Sequence, residues 1–259
     1  MILLTKQWHK CCRVAWRNKT RAAFTIRRFL GLLPAPQGDD VPASGKFIYL
    51  TFDDGPCVHT ESLLEVLARY HVKATFFVTK HDRAADLLPR IAAGGHTIGN
   101  HTANHHYQSL YESEASFLDA LTEMERIILD TTGIRPVLFR FPGGTASIDH
   151  LTHRPGMAHR LTELVQESGY RIYDWDLDSR DTAGAITPGR VYRNVISGIR
   201  GRTHTVVLQH DLKKYSTDAV EAIIVWGLRN GYTFLPLTTD SPAHLGASNF
   251  TSVKKSPSE

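Results

Sequence analysis

Short apolar segments alternate with amphipathic segments over most of the chain, and this alternation limits the folds open to it. The apolar segments have the length and composition of strands: KFIYLTF (46–52), VKATFFVT (72–79), HTIGNH (96–101), VLFRF (137–141), RIYDWDL (171–177), TVVLQHD (205–211) and YTFLPL (232–237). Helical patterns lie between them at 60–70, 83–95, 110–131, 158–170, 188–199 and 217–231. Apolar strands that are each followed by a helix predict a parallel sheet covered by helices. About six to seven repeats favour a barrel, with an open doubly wound sheet as the alternative.

The chain is long enough for one α/β domain of the larger kind, with 259 residues of which 42% are hydrophobic. A Pro/Gly/Ser-rich stretch, LLPAPQGDDVPASG (32–45), precedes the first strand and predicts a linker. We therefore expect a leader and linker at residues 1–45, a domain at 46–240 and a polar tail at 241–259.

Positive charge is concentrated at the start of the chain. Residues 1–38 contain eight Lys or Arg and no Asp or Glu, whereas the rest contains 22 basic and 26 acidic residues. Such a leader is suited to an anionic membrane surface or cell wall, but a simply solvated leader fits equally well. The body has no basic face interleaved with aromatic residues, so no nucleic-acid partner is expected. We expect a monomer.

Neither a secretion signal nor a disulfide framework is expected. The opening residues, MILLTKQWHK, have an apolar run too short for a signal-peptide core or a membrane span. Cys11 and Cys12 are adjacent and Cys57 lies far from them, so free thiols are the expected state. These features leave the compartment undecided.

Ionisable side chains follow nearly every predicted strand. In parallel α/β proteins the carboxyl ends of the strands meet at one face, and chemistry collects there. Five such endings predict a functional site, and they contain Asp53 and Asp54, His101 and His105, Arg140, then Asp176, Asp178 and Asp181, and last His210 and Asp211.

His101 and His105 are four residues apart, so in a helical turn they would share one face and could bind one metal ion. Two histidines alone are a weak signal in a chain with 14 of them. A carboxylate from another strand end, for which Asp54 is the candidate, would complete three ligands. Three protein ligands with an open position are typical of catalytic zinc.

Five short motifs are similar, in order and spacing, to those of the polysaccharide deacetylase family, also called the NodB-homology domain or carbohydrate esterase family four. They are TFDDGP (51–56), HTANH (101–105), RFPGG (140–144), WDLDSRD (175–181) and VVLQH (206–210), and the resemblance covers residues 46–237. It implies a distorted (β/α) barrel, TIM-barrel-like, with about seven parallel strands. It also implies metal-dependent removal of acetyl groups from polysaccharides. The chain resembles bacterial peptidoglycan-type members most.

The resemblance implies a role for each motif residue. Asp53 is expected to be the general base, oriented by Arg140, and His210 the general acid, held by Asp181. One divalent metal ion is implied, Zn²⁺ by preference with Co²⁺, Ni²⁺ or Mn²⁺ as alternatives. Its expected ligands are Asp54, His101 and His105.

Three further residues are expected to bind substrate. The main-chain N–H of Gly143 would meet the oxyanion, Leu208 would line the acetyl-methyl pocket, and Trp175 could supply one wall of it. The sequence departs from the family pattern where Thr182 replaces a tryptophan and Gly143 replaces a tyrosine. These departures put the substrate preference in doubt rather than the activity.

The expected activity is N-deacetylation of N-acetylglucosamine-containing glycans such as peptidoglycan or chitin oligomers. An acetylxylan-type O-deacetylase and a non-catalytic glycan-binding protein on the same scaffold are the alternatives. By resemblance to the family, the expected location is the cell surface or outside the cell.

Overall fold

The computed structural model describes residues 33–35, 37–38, 45–184 and 186–242. From Gln37 onward these residues belong to one compact unit. Most of the basic leader predicted for residues 1–45, and all of the polar tail predicted for 241–259 except its first two residues, lie outside the described residues. None of the described helices is long and apolar enough to cross a membrane.

Strands and helices alternate as the sequence predicts. The strands are β1 (Lys46–Asp53), β2 (Thr75–Val78), β3 (Thr97–Asn100), β4 (Leu138–Phe139), β5 (Arg171–Ile172), β6 (Leu177–Asp178), β7 (His204–His210) and β8 (Tyr232–Phe234). The helices are α1 (Thr60–Arg69), α2 (Ala84–Ala93), α3 (Tyr107–Leu110), α4 (Glu114–Thr132), α5 (Ile148–Thr152), α6 (Met157–Glu167), α7 (Pro188–Ile199) and α8 (Lys214–Arg229). The short helices α3 and α5 are the two that the hydrophobic pattern does not predict.

The sheet is parallel throughout, with the order β5-β4-β3-β2-β1-β7-β6, and β8 pairs with the first half of β1. The outermost strands, β5 and β6, are consecutive in the chain and are joined by residues 173–176 alone. Laid flat, seven strands would separate their outer members by about 29 Å, since neighbours lie about 4.8 Å apart. The connection from Ile172 to Leu177 spans at most about 18 Å. The sheet must therefore curl, which confirms the predicted distorted (β/α) barrel.

The segment RIYDWDL, predicted as one strand, is two. Its start pairs with β4 and its end with β7, so the chain crosses from one edge of the curled sheet to the other. The N–H of Tyr173 still donates to Phe139 O, whereas the N–H of Asp176 already donates to Val206 O. This division is why the described part of the chain has eight strands where about seven are predicted.

Strand β1 lies at the centre of the fold and carries the first motif. Every residue of β1 except Lys46 is buried, and the whole of β7 pairs with residues 47–53 of β1 on one side. The register places Asp53 opposite both His210 of β7 and Phe77 of β2. The carboxyl ends of neighbouring strands therefore meet around Asp53.

Candidate active site

A buried ion pair joins the ends of β1 and β4. Nη1 of Arg140 donates to Asp53 Oδ1 at 2.7 Å and to Thr51 Oγ1 at 2.7 Å. Its Nε and Nη2 donate to the main-chain oxygens of Tyr173 (2.8 Å) and Asp174 (2.7 Å). Arg140 is fully buried and Asp53 is 2% exposed. Four hydrogen bonds thus fix the guanidinium, and the guanidinium in turn fixes the Asp53 carboxylate.

Asp54 turns its carboxylate away from that pair. Its φ is +72°, in the left-handed region, so the strand ends at Asp53. Asp54 Oδ1 lies 3.1 Å from His105 Nε2 and 3.5 Å from His101 Nε2. On an extended segment adjacent side chains point to opposite faces, but here it is the left-handed turn at Asp54 that separates the two carboxylates.

The expectation that His101 and His105 share a helical face is wrong. Residues 101–105 form a loop, and α3 begins only at Tyr107. Thr102 has φ +64°, and its Oγ1 donates to Asn104 O at 2.8 Å, which folds the loop back on itself. The two imidazole centroids still lie 5.2 Å apart, so the loop, rather than a helical turn, brings the side chains of His101 and His105 together.

The tautomer of His101 is set by its surroundings. Its Nδ1 lies 2.7 Å from the main-chain oxygen of Arg140, and a carbonyl oxygen can only accept, so Nδ1 carries the proton. With its proton on Nδ1, the uncharged form of His101 presents a lone pair at Nε2, toward Asp54. This is the arrangement in which an outer hydrogen bond orients a metal-binding imidazole.

The electrostatics lower the pKa values of both Asp54 and His105. Burial alone would raise the pKa of Asp54, but its contact with His101 and the charges of His101, His105 and His210 lower it. Burial, and then the charge of His101, lower the pKa of His105 against the opposing effect of Asp54. An ionised carboxylate with neutral imidazoles is the protonation state that a divalent cation requires.

The three side chains fit a divalent metal ion. Their ligand atoms lie within 4.8 Å of one another. Asp54 Oδ1 is buried and has no hydrogen-bond donor among the described residues. A buried carboxylate oxygen left without a donor, facing two imidazole nitrogens, is the arrangement expected of a candidate cation site.

His210 and Asp181 form the second pair of the site. Asp181 Oδ1 lies 2.8 Å from His210 Nδ1, and Asp181 Oδ2 accepts the main-chain N–H of His210 at 2.7 Å. Burial disfavours charged His210, but the hydrogen bond and charge of Asp181, followed by the charges of Asp53 and Asp54, raise its pKa to about 9. His210 Nε2 lies 4.0 Å from Asp54 Oδ2, so it faces the same space as the three candidate metal ligands.

The three residues expected to bind substrate lie around these pairs. Gly143 has φ +80°, and its N–H makes no hydrogen bond within the described ranges. Leu208 is buried in β7 two residues before His210, so both side chains point to the same face of the sheet. Trp175 packs against Gly144, where a Cβ would come within 2.7 Å of its ring. The structure brings all three close to the site, and their roles stay predictions.

Comparisons with known proteins point to one family. Residues 40–158 match the family model described as polysaccharide deacetylase. Over 196 residues the chain is 32% identical to a peptidoglycan-N-acetylglucosamine deacetylase from Bacillus cereus, covering 73% of this chain and 68% of that relative. The chain belongs to the polysaccharide deacetylase family.

Two solved structures of polysaccharide deacetylase relatives share the fold. The catalytic domain of peptidoglycan N-acetylglucosamine deacetylase from Eubacterium rectale is 45% identical, with a TM-score of 0.73, and the match covers 80% of this chain and 94% of that one. A family 4 acetyl xylan esterase from Clostridium thermocellum, in complex with a cobalt ion, is 26% identical with a TM-score of 0.61, covering 74% and 88%. The resemblance identified from the five motifs is confirmed.

The polysaccharide deacetylase motifs did not reveal every residue that shapes this site. Thr51 supports Arg140, and Tyr107 lies against His105 with ring centroids 5.3 Å apart. Thr51 stands at the start of the first motif and Tyr107 shortly after the second, but no local pattern distinguishes either one from an ordinary strand or surface residue. Their contacts arise only from the folded barrel.

Proposed function

We propose that this member of the polysaccharide deacetylase family is a metal-dependent N-acetylglucosamine deacetylase. One observation carries the proposal: two groups able to transfer protons each have a buried partner, Asp53 with Arg140 and His210 with Asp181. Both lie within 4.0 Å of the metal-binding cluster, Asp53 at 3.8 Å from His101 and His210 at 4.0 Å from Asp54.

The side chains support hydrolysis of an acetamide. When bound by Asp54, His101 and His105, a divalent cation, Zn²⁺ by preference with Co²⁺, Ni²⁺ or Mn²⁺ as alternatives, would polarise the acetyl carbonyl and acidify a water molecule. Asp53 accepts a proton from the water as the water oxygen bonds to the carbonyl carbon. The main-chain N–H of Gly143 donates to the developing oxyanion.

His210 completes the reaction. Held by Asp181 with its raised pKa, it is protonated near neutral pH and donates from Nε2 to the amide nitrogen as the C–N bond breaks. The products are acetate and a free sugar amine. Because the leaving amine needs this proton far more than an alcohol would, a His210 kept charged favours amide over ester substrates.

The relatives support a glycan substrate of the bacterial cell wall. The similar proteins from B. cereus and E. rectale carry peptidoglycan N-acetylglucosamine deacetylase names. A chitooligosaccharide deacetylase from Rhizobium leguminosarum is 32% identical, which keeps chitin oligomers as the second candidate. We propose action at the cell surface, by a monomer, with residues 1–45 as a basic leader able to contact anionic wall or membrane.

The test is acetate release from defined substrates after metal removal. Chelated protein should be inactive on N-acetylglucosamine oligomers and peptidoglycan, and Zn²⁺ or Co²⁺ should restore activity. An Asp53→Asn variant, which keeps shape but cannot accept the proton, should stay inactive with any metal. Wild-type turnover by that variant would refute the assigned base. Preferential release from acetylxylan would favour an O-deacetylase, and glycan binding without acetate release would favour a binding protein.

A further inference from the structure

A groove of about 870 Å³ lies between α3 and α5, beside the candidate active site. Its lining is mostly polar and exposed, with two tyrosine rings, Tyr107 and Tyr111, and one aliphatic side chain, Leu151. The residues that matter here are His106, Tyr107, Gln108, Glu112, Leu151 and His153. The groove takes no part in the proton transfers proposed above.

Tyr107 connects the groove with the site. Its ring lies against His105, with centroids 5.3 Å apart, while 37% of the residue is exposed. Behind it, Tyr111 is stacked at 6.3 Å and donates to Pro142 O at 2.8 Å, which fixes the position of α3.

Gly143 leaves the boundary between site and groove open. A Cβ at Gly143 would come within 3.1 Å of Leu151 Cδ1 and 3.3 Å of the Tyr107 hydroxyl oxygen. The space that a side chain at 143 would need is therefore bordered by Tyr107 and Leu151, which also line the groove. With glycine there, a ligand bound at the metal-binding cluster can continue past Tyr107.

The lining has the chemistry of a sugar-binding surface. A partly exposed tyrosine ring offers an apolar face to the C–H groups of a pyranose. Around it, the side chains of His106, Gln108 and Glu112 make no hydrogen bond to any described residue, so they are available to sugar hydroxyls. The lining contains one acidic residue, Glu112, and one basic residue, Arg154, which suits an uncharged sugar rather than a strongly ionic ligand.

We propose that this groove is a binding subsite for the sugar unit of the glycan next to the one that is deacetylated, with Tyr107 as its stacking platform. The inference rests on the proposed function, since it takes the reacting sugar to lie at the metal-binding cluster. It makes Tyr107 and Gly143 determinants of chain-length preference.

The test measures binding separately from turnover. In an Asp53→Asn background, titration calorimetry compares the N-acetylglucosamine monosaccharide, which cannot reach the subsite, with the pentamer. Adding Tyr107→Ala should weaken pentamer binding roughly three- to tenfold, whereas Tyr107→Phe, which keeps the ring, should not. Because Tyr107 touches His105, zinc content is measured for each variant. A double substitution away from the metal-binding side chains, Gln108→Ala with His153→Asn, should weaken pentamer binding in the same direction.

The matched control lies at the opposite end of the barrel. A second groove near the starts of β2 and β3 is lined by Glu65, His71 and Arg90, and Glu65→Ala should leave pentamer affinity unchanged. Pentamer affinity unaffected by Tyr107→Ala, or equal for the monosaccharide and the pentamer in the parent, would overturn the subsite. Tyr107-dependent pentamer binding by a wild-type chain that releases no acetate would keep the subsite and reject the deacetylase.

Discussion

Replacing Arg140 by Met tests whether the Asp53–Arg140 pair is the element on which the site is built. Methionine fills much of the same volume but donates no hydrogen bonds. The substitution therefore removes the ion pair with Asp53 and three further bonds, to Thr51, Tyr173 and Asp174. These three acceptors are a hydroxyl and two main-chain carbonyl oxygens, all uncharged. The cost of losing the ion pair can therefore be measured separately from the cost of losing these hydrogen bonds.

The cost follows from the burial of the pair. A carboxylate that is 2% exposed and loses its cation is destabilised by about 3–5 kcal/mol. The three bonds from the charged guanidinium to neutral oxygens contribute about 1.5–3 kcal/mol each, and the absence of a guanidinium to desolvate offsets several kcal/mol of this in the Met variant. Arg140→Met should therefore lower the free energy of unfolding by roughly 5–9 kcal/mol, a large part of the 5–15 kcal/mol typical of a domain.

A double-mutant cycle isolates the ion pair. In an Asp53→Asn background the same substitution at Arg140 leaves no buried charge, so its cost should fall by about 3 kcal/mol. Urea unfolding of all four proteins, with chelator present so that bound metal does not add stability, measures the coupling. The Asp53→Asn/Arg140→Met protein should be more stable than Arg140→Met alone, although neither should release acetate.

Equal costs in the two backgrounds, within about 0.5 kcal/mol, would refute the coupling. Arg140→Lys provides a second check, since it keeps the charge but cannot reach four acceptors in the planar geometry of a guanidinium. It should fold, and acetate release should fall roughly a hundredfold because Asp53 is no longer held in place.

Three other outcomes are expected. Asp181→Asn removes the carboxylate that holds charged His210 and should reduce the rate of acetate release about 10²–10⁴-fold, while Asp178→Asn, on the same segment but exposed, should not. His101→Ala should abolish the rise in melting temperature that Zn²⁺ gives the wild-type chain, measured by calorimetry. Burial, with the charge of a nearby lysine, lowers the pKa of His96 to about 4. Because the unfolded chain binds this proton near pH 6.5 and the folded chain does not, the free energy of unfolding should be roughly 2 kcal/mol lower at pH 5 than above pH 6.5. Urea unfolding at both pH values should show this loss in the wild type and not in His96→Gln.

The elements with a strong local signal could be predicted from sequence. Strand β1 is a continuous apolar run, and the longer helices have clear amphipathic patterns and caps, such as Ser113 before α4 and Thr187 before α7. Residues at strand ends could be assigned to one site because a parallel barrel brings the carboxyl ends of its strands together. This assignment depends only on the order and direction of the strands, so it could be made without knowing any side-chain position.

The remaining features depend on contacts distant in sequence. RIYDWDL has one apolar pattern, but its two ends pair with strands on opposite edges of the sheet, and only closure of the barrel divides it. The 101–105 loop folds back at Thr102, a non-glycine residue with positive φ. The spacing of apolar residues in the sequence gives no sign of this backbone conformation. The position of Tyr107 follows from how Tyr111 is anchored to Pro142, which is again a tertiary contact.

The adjacent aspartates show how strain and function are joined in this site. A non-glycine residue with positive φ costs of order 1–3 kcal/mol and persists only where its surroundings hold it. Here Thr79 holds Asp54, because its Oγ1 donates to Asp54 O at 2.9 Å and its N–H donates to Gly55 O at 2.9 Å. Because of the left-handed turn, the Asp53 carboxylate contacts Arg140 and the Asp54 carboxylate faces His101 and His105. Two neighbouring carboxylates can then do different chemistry, because the backbone between them, rather than their spacing in sequence, assigns each to its partner.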